Sequence, residues 1–232
     1  MKRRICFLVA VLGVAVCGQA WAHPPNGKGS NQPSSDLPPV IPEGYLSPAD
    51  VHARYSGPAL EIVLSMIEHT PFSNLPPRQE ADGEHHNFGS ELRGQGACTG
   101  DGCASMGIPP MFPVQMTGTV HTVAYGRPPG GLGTFDTEML SMSLTGVLGG
   151  MVRESPSRPS LGRTSITDIG GGMYHIDSFF DVFTDFSIDG GQTWMPSSSS
   201  TRVYLGGVPE PASFVLLALG ILGFAGLGGR RR

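Results

Sequence analysis

Glycine and proline punctuate this chain at nearly every join, 34 and 21 of them in 232 residues, and the runs between them are short and apolar-polar alternating. That rhythm constrains the fold most, because alternation with period two puts one face of an extended segment in a core and the other in solvent. Val114–Ala124 mixes β-branched and polar residues in alternation, Met139–Leu148 sets Leu140, Met142 and Leu144 against Ser141, Ser143 and Thr145, and Thr201–Leu205 is a further short run. Leu60–Glu68 fits a helical stripe through Leu60, Val63, Leu64 and Ile67, or a strand face through Ile62, Leu64 and Met66, and is assigned to strand with the rest. A short helix is expected from Ser47 as N-cap and Pro48 at the first helical position, ending before Gly57-Pro58. Met173–Ile188 carries Phe179, Phe180, Phe183 and Phe186 and is the expected centre of the core, with Val182, Thr184, Phe186 and Ile188 on one face. Strands of five to ten residues without a long soluble helix predict an all-β fold, a single antiparallel β-sandwich or jelly-roll-like domain. No repeat of 20–50 residues is present, which argues against a propeller or solenoid.

The two ends of the chain follow other rules. Lys2, Arg3 and Arg4 precede an apolar run from Ile5 to Val16, too short to anchor in a bilayer, and Ala20-Trp21-Ala22 offers small residues where a signal peptidase needs them. Residues 1–22 therefore read as a signal peptide cleaved between Ala22 and His23. Cys17 raises a lipoprotein reading, opposed by Val16 where a small residue is needed. At the other end Ala212–Gly229 holds no charge and is followed by Arg230, Arg231 and Arg232. As a helix it would span about 27 Å, close to the roughly 30 Å hydrocarbon core, with the arginines on the cytoplasmic side.

Between these signals, 23–45 is a Pro-, Gly- and Ser-rich arm expected to be flexible, and 46–207 a β-rich extracytoplasmic domain. Residues 23–208 hold nine Lys and Arg against eighteen Asp and Glu, a net charge of about −9 that disfavours nucleic acid or any polyanion as a partner.

Cys98 and Cys103 remain after processing, and in an oxidising compartment they are expected to form a local disulfide worth about 2 kcal/mol or less. Zinc would need two more ligands, with His85 and His86 nearest. Glu84-His85-His86 with Glu91 could chelate, yet adjacent residues on an extended chain point to opposite sides. An N-terminal His23 with His121 or His175 would suit copper, but the arm after His23 gives no rigid support. Asp177 with Asp181 or Asp185 could pair carboxylates, though nothing in the sequence sets the separation a glycosidase needs. Catalytic elbow, P-loop, zincin and dinucleotide fingerprints are absent from the sequence. The expectation is accordingly no metal, no cofactor and no catalytic residue.

Ser187-Ile-Asp-Gly-Gly-Gln-Thr-Trp194 fits the Asp-box pattern of sialidases and related β-propellers. There the box is a hairpin turn, so the resemblance implies structural roles for Asp189, Gly191 and Trp194.

Val208-Pro209-Glu210-Pro211, then an apolar helix and a basic terminus, closely resembles the PEP-CTERM sorting tail of exported bacterial proteins. The resemblance assigns 208–232 to that tail, with Pro209, Glu210 and Pro211 as sorting motif and 212–229 as transmembrane helix. It implies an exosortase, a membrane-embedded processing enzyme, as partner, transit through the inner membrane, and delivery to the cell surface or exopolysaccharide matrix. Ser178–Phe183 and Asp189–Trp194 also resemble segments of exported PEP-CTERM proteins, which supports a β fold and no particular reaction. The reading is a non-catalytic surface or matrix protein, with a carbohydrate-binding, carbohydrate-active or metal-dependent β-sandwich as the alternative.

Overall fold

The computed structural model describes residues 29–39, 44–48, 50, 52–146 and 149–206. Ala20, Ala22 and His23 at the expected signal cleavage, the sorting residues Pro209, Glu210 and Pro211, and the helix expected at 212–229 lie outside them. Among the described residues no helix is long and apolar enough to cross a membrane.

Strands dominate. Four are long: β4 (Glu61–Asn74), β6 (Gly83–Thr99), β7 (Met111–Tyr125) and β8 (Gly133–Gly146). The others are β1 (Ser30–Gln32), β2 (Tyr45–Leu46), β3 (Ala53–Ser56), β5 (Arg78–Gln79), β9 (Met151–Glu154), β10 (Ser160–Gly170), β11 (Met173–Val182), β12 (Thr184–Ser187), β13 (Met195–Pro196) and β14 (Thr201–Leu205), with one short helix among the described residues, α1 (Asp101–Ser105). Antiparallel pairings run β2-β4-β6-β7-β8-β10-β11-β14 and return from β14 to β2, closing a barrel. Closure pairs every strand of the ring on both sides and so removes exposed edges there.

The long strands run past this ring. Their far ends are joined by β9, β12, β13 and β3, with β3 on β4 and a bridge from Tyr55 to Ser197 completing the circuit. The same wall of four long strands thus serves two stacked halves. Each half is centred on a buried tyrosine. Tyr45 meets Phe180 edge-on at 5.7 Å and donates to Ser178 Oγ at 3.1 Å, while Tyr55 lies 5.3 Å from Phe186 with its hydroxyl 2.6 Å from Thr184 Oγ1. Burial pushes both phenols up to about 12, so each stays a neutral hydrogen-bonding group.

The all-β antiparallel expectation holds, with closure as a barrel where a sandwich or jelly roll was expected. The reason is strand length. Glycine also serves inside strands: a Cβ on Gly118, mid-β7 and within the expected strand Val114–Ala124, would sit 1.9 Å from Ser143 O on β8, so glycine there allows the two backbones to approach. Long twisted strands, bent at bulges between Ser65 and Glu68 and between His121 and Thr122, coil far enough for the ring to close.

Two local expectations are corrected. Ser47 caps no helix: its hydroxyl accepts from Ile67 N–H at 2.9 Å, its own N–H donates to Ile67 O at 2.8 Å, and Ala53–Ser56 is strand. Within the arm, Ser30–Gln32 pair with β11 and Leu37 is buried. Addition to an edge satisfies backbone groups without needing a rich apolar composition, which is why the composition of 23–45 misled.

Candidate functional site

The start of β6 and the turn before it gather ionisable side chains on both sides of the barrel wall. Along β6 the alternation sends Glu84, His86 and Phe88 inward and His85 outward. His86, Phe88, His69, Thr137 and Phe180 line an internal cavity of about 40 Å³. Outside, β5 lies against β6 with Arg78 opposite His85, and the connecting turn carries Glu80 and Asp82 over the ring. The turn is tied down by Glu80 N–H to Gly83 O at 2.9 Å and Gly126 N–H to Asp82 O at 2.8 Å.

His85 is the hub. Its Nε2 lies 2.8 Å from Asp82 Oδ1 and 3.8 Å from Glu80 Oε2, and its Nδ1 lies 3.1 Å from Nε2 of His121 on β7. Only 6% of its side chain is exposed, against 47% for Glu80 and 52% for Asp82, so a buried imidazole faces two carboxylates open to solvent. The hydrogen bond with His85 holds the Asp82 carboxyl below its usual value. His121 is held below the usual imidazole value, first by burial and then by His85 and Arg78. Ligand atoms of Glu80, Asp82 and His85 all lie within 4.8 Å of one another, a spacing that one cation could bridge.

Inside the wall, Arg127 and Glu84 form a buried ion pair. The guanidinium also donates to Ser35 O at 2.7 Å and Gly131 O at 3.2 Å. These bonds tie the N-terminal segment and the β7–β8 connection to β6, and thereby cap this end of the barrel. Burial lowers the Arg127 value and raises that of Glu84, each opposed by the other's charge. His86, 3.1 Å from Glu84 Oε1, is lowered to about 4 by burial and by Arg127.

The remaining residues singled out in the sequence are dispersed. Cys98 and Cys103 form a disulfide that ties the end of β6 to α1, which leaves neither thiol for zinc. Glu91 binds Arg93 at 3.0 Å and Gln115 at 2.6 Å, away from the His85 hub. Asp181 accepts from Arg202 Nε at 2.7 Å and Asp185 from Arg153 at 3.1 Å, so each carboxylate is engaged by its own arginine. His175 sits on β11 with Asn31 Oδ1 at 2.8 Å, and the partner of His121 is His85. Asp189 accepts from Thr193 N–H at 2.9 Å, Thr193 Oγ1 at 2.6 Å and Ser187 Oγ at 2.8 Å in the β12–β13 connection. Gly191 has φ of 89°, and Arg153 stacks 4.1 Å from the centroid of Trp194. Beside this turn a second cavity, of about 450 Å³, is lined by Ile62, Phe112, Val114, Met116, Phe186 and Ile188, with Gln115, Asp189 and Thr193 as polar members.

Sequence reasoning missed Glu80, Asp82 and Arg127. Asp82-Gly83 is a hairpin-turn signal that could have found the first two, whereas Arg127 carries no local signal at all.

Residues 207–232 match the PEP-CTERM protein-sorting motif. The chain carries a PEP-CTERM sorting motif in this segment. The motif implies exosortase processing as the partner class and supports export with membrane-associated sorting. No curated protein and no solved structure matches the chain. The PEP-CTERM segment follows directly on Gly206, whose N–H donates to Gly44 O at 2.8 Å, and β14 just before it closes the barrel between β11 and β2. The matched segment thus begins just beyond β14, the strand that completes the ring, with Gly206 between them.

Proposed function

We propose that this chain is a non-catalytic surface or extracellular-matrix protein, whose barrel is delivered by exosortase processing of its tail and serves there as a binding or structural module. The observation that carries the reading is the sorting motif at 207–232 beginning where the barrel ends. Cleavage at that junction would release the domain with β14 still paired on both sides. The inner membrane is the station in transit, held by the helix expected at 212–229, and the exopolysaccharide matrix or cell surface is the destination. A binding role is favoured over a purely structural one by the cavity of about 450 Å³, which lies in the range of small-ligand sites. Its lining is mainly apolar, which suits an apolar ligand better than a sugar.

The test is fractionation of cells with and without their exosortase. Processed barrel at the surface or in the matrix of normal cells, and full-length precursor in the inner membrane of exosortase-deficient ones, is the expected result. Equal distribution in the two strains would overturn the reading.

A further inference from the structure

We infer that Glu80, Asp82 and His85 form a binding site for one divalent first-row transition ion of the zinc class, on the outer wall of the barrel. The inference goes beyond the sorting role and does not depend on it.

The case begins with charge. Asp136, Asp181, Asp185, Glu61, Glu84 and Glu91 each contact an arginine. Asp82 instead faces a histidine, and Glu80 has Arg78 at 3.5 Å on its other oxygen. His85 Nε2 lies within hydrogen-bond distance of Asp82 Oδ1, at 2.8 Å, and outside it for Glu80 Oε2, at 3.8 Å. Two half-exposed carboxylates and one buried ring nitrogen therefore converge, with Arg78 engaging only the far oxygen of Glu80, and leave Glu80 Oε2, Asp82 Oδ1 and His85 Nε2 facing a common point that a cation could occupy.

Geometry agrees. The ligand atoms lie within 4.8 Å of one another, so small rotations of two half-exposed carboxylates bring all three to the roughly 2.0–2.2 Å bonds of zinc with imidazole and carboxylate. A mixed imidazole and carboxylate set suits zinc better than calcium or magnesium, which prefer oxygen alone. The buried ring also has a fixed partner behind it. On binding the ion through Nε2, His85 would carry its proton on Nδ1 and donate it to His121 Nε2 at 3.1 Å, the outer-shell contact that orients metal-bound histidines. Without the ion, Nε2 faces Asp82 Oδ1 at 2.8 Å instead. His121 is thus a positioning residue, and water completes the exposed side.

The experiment uses the full chain purified in detergent, stripped with chelator and titrated with Zn²⁺ alone at neutral pH, with metal content and calorimetric affinity as readouts. One Zn²⁺ per chain is expected. Asp82→Asn and Glu80→Gln, both at exposed turn positions that leave the core untouched, should each weaken binding about tenfold or more. Glu91→Gln, on the strand that carries His85 but outside the cluster, should bind like the parent. Loaded with Co²⁺, the parent should show visible bands of a nitrogen- and oxygen-ligated ion that weaken in His121→Gln, since that change disturbs the orientation of His85 without removing a ligand. Substoichiometric Zn²⁺ uptake, undiminished affinity in Asp82→Asn, or Ca²⁺ binding as tight as Zn²⁺ would each overturn the inference.

Discussion

Arg127 and Glu84 meet as an ion pair inside the barrel, with 1% and 4% of their side chains exposed, and the pair holds three chain segments together. Removing one partner of a buried pair leaves the other charge uncompensated, at a cost of about 3–5 kcal/mol. Arg127→Met is therefore expected to lower the Tm strongly, and the double variant with Glu84→Leu to recover a large part of the loss. Chemical denaturation of the three proteins measures this, and an unchanged midpoint in Arg127→Met would show that the pair contributes nothing net.

The Cys98–Cys103 disulfide closes a loop with a sequence separation of only 5. Loop-closure entropy for so short a ring amounts to about 2 kcal/mol, so the reduced protein should stay folded with a modestly lower midpoint. Mass spectrometry of exported protein is expected to show His23 at the N-terminus and a two-hydrogen deficit on the peptide holding both cysteines. Two free thiols there would contradict the bridge.

Glu154 is pushed up from 4.5 to about 7, first by burial and then by Glu138 and Asp185, against a hydrogen bond from Ser160. Its folded value lies above its unfolded one, so the folded state binds the extra proton. The associated stability is present below about pH 4.5 and is lost as pH rises through about 7. Glu154→Gln should flatten that part of the Tm profile and raise the Tm at alkaline pH relative to the parent. His69 behaves oppositely. Lowered from 6.5 to about 4 by burial, it contributes stability above about pH 6.5 that is lost on acidification, and His69→Gln should soften the acid limb alone.

Gly118→Ala tests the strand approach behind barrel closure. The new methyl would meet Ser143 O at 1.9 Å, so β7 and β8 must separate. A loss of about 1–3 kcal/mol is expected, the usual range for overpacking, and thermal unfolding would detect it. A gain in stability would mean that the two backbones are not held together there.

The tail offers a separation of roles. Glu210→Ala leaves the apolar segment unchanged and should block processing while preserving insertion, so precursor accumulates in the inner membrane. Leu217→Arg would put a charge within the helix expected at 212–229, at about 2.5–3.5 kcal/mol on insertion scales if that helix spans the bilayer, and should then reduce anchoring before any processing. Membrane fractionation distinguishes them. Processing of Glu210→Ala equal to the parent would make Pro-Glu-Pro a mere spacer.

By itself the sequence determined what is local or compositional. Alternation along Val114–Ala124 and Thr201–Leu205 specified strands, because period two is a property of the extended backbone, and Ser187–Trp194 specified a turn through side chains two to four residues apart. The Pro-Glu-Pro tail was legible for the same reason, being a contiguous signal. Only the tertiary structure decided closure, since the close approach that Gly118 permits depends on β8 lying beside it, with Leu144 opposite and Ser143 O nearest. It alone decided the sites as well. Bringing His121 to His85, and Arg127 to Glu84 and Ser35, requires the β6–β7 register and the docking of the N-terminal segment, and register is fixed by which faces the whole barrel buries rather than by any short run of residues.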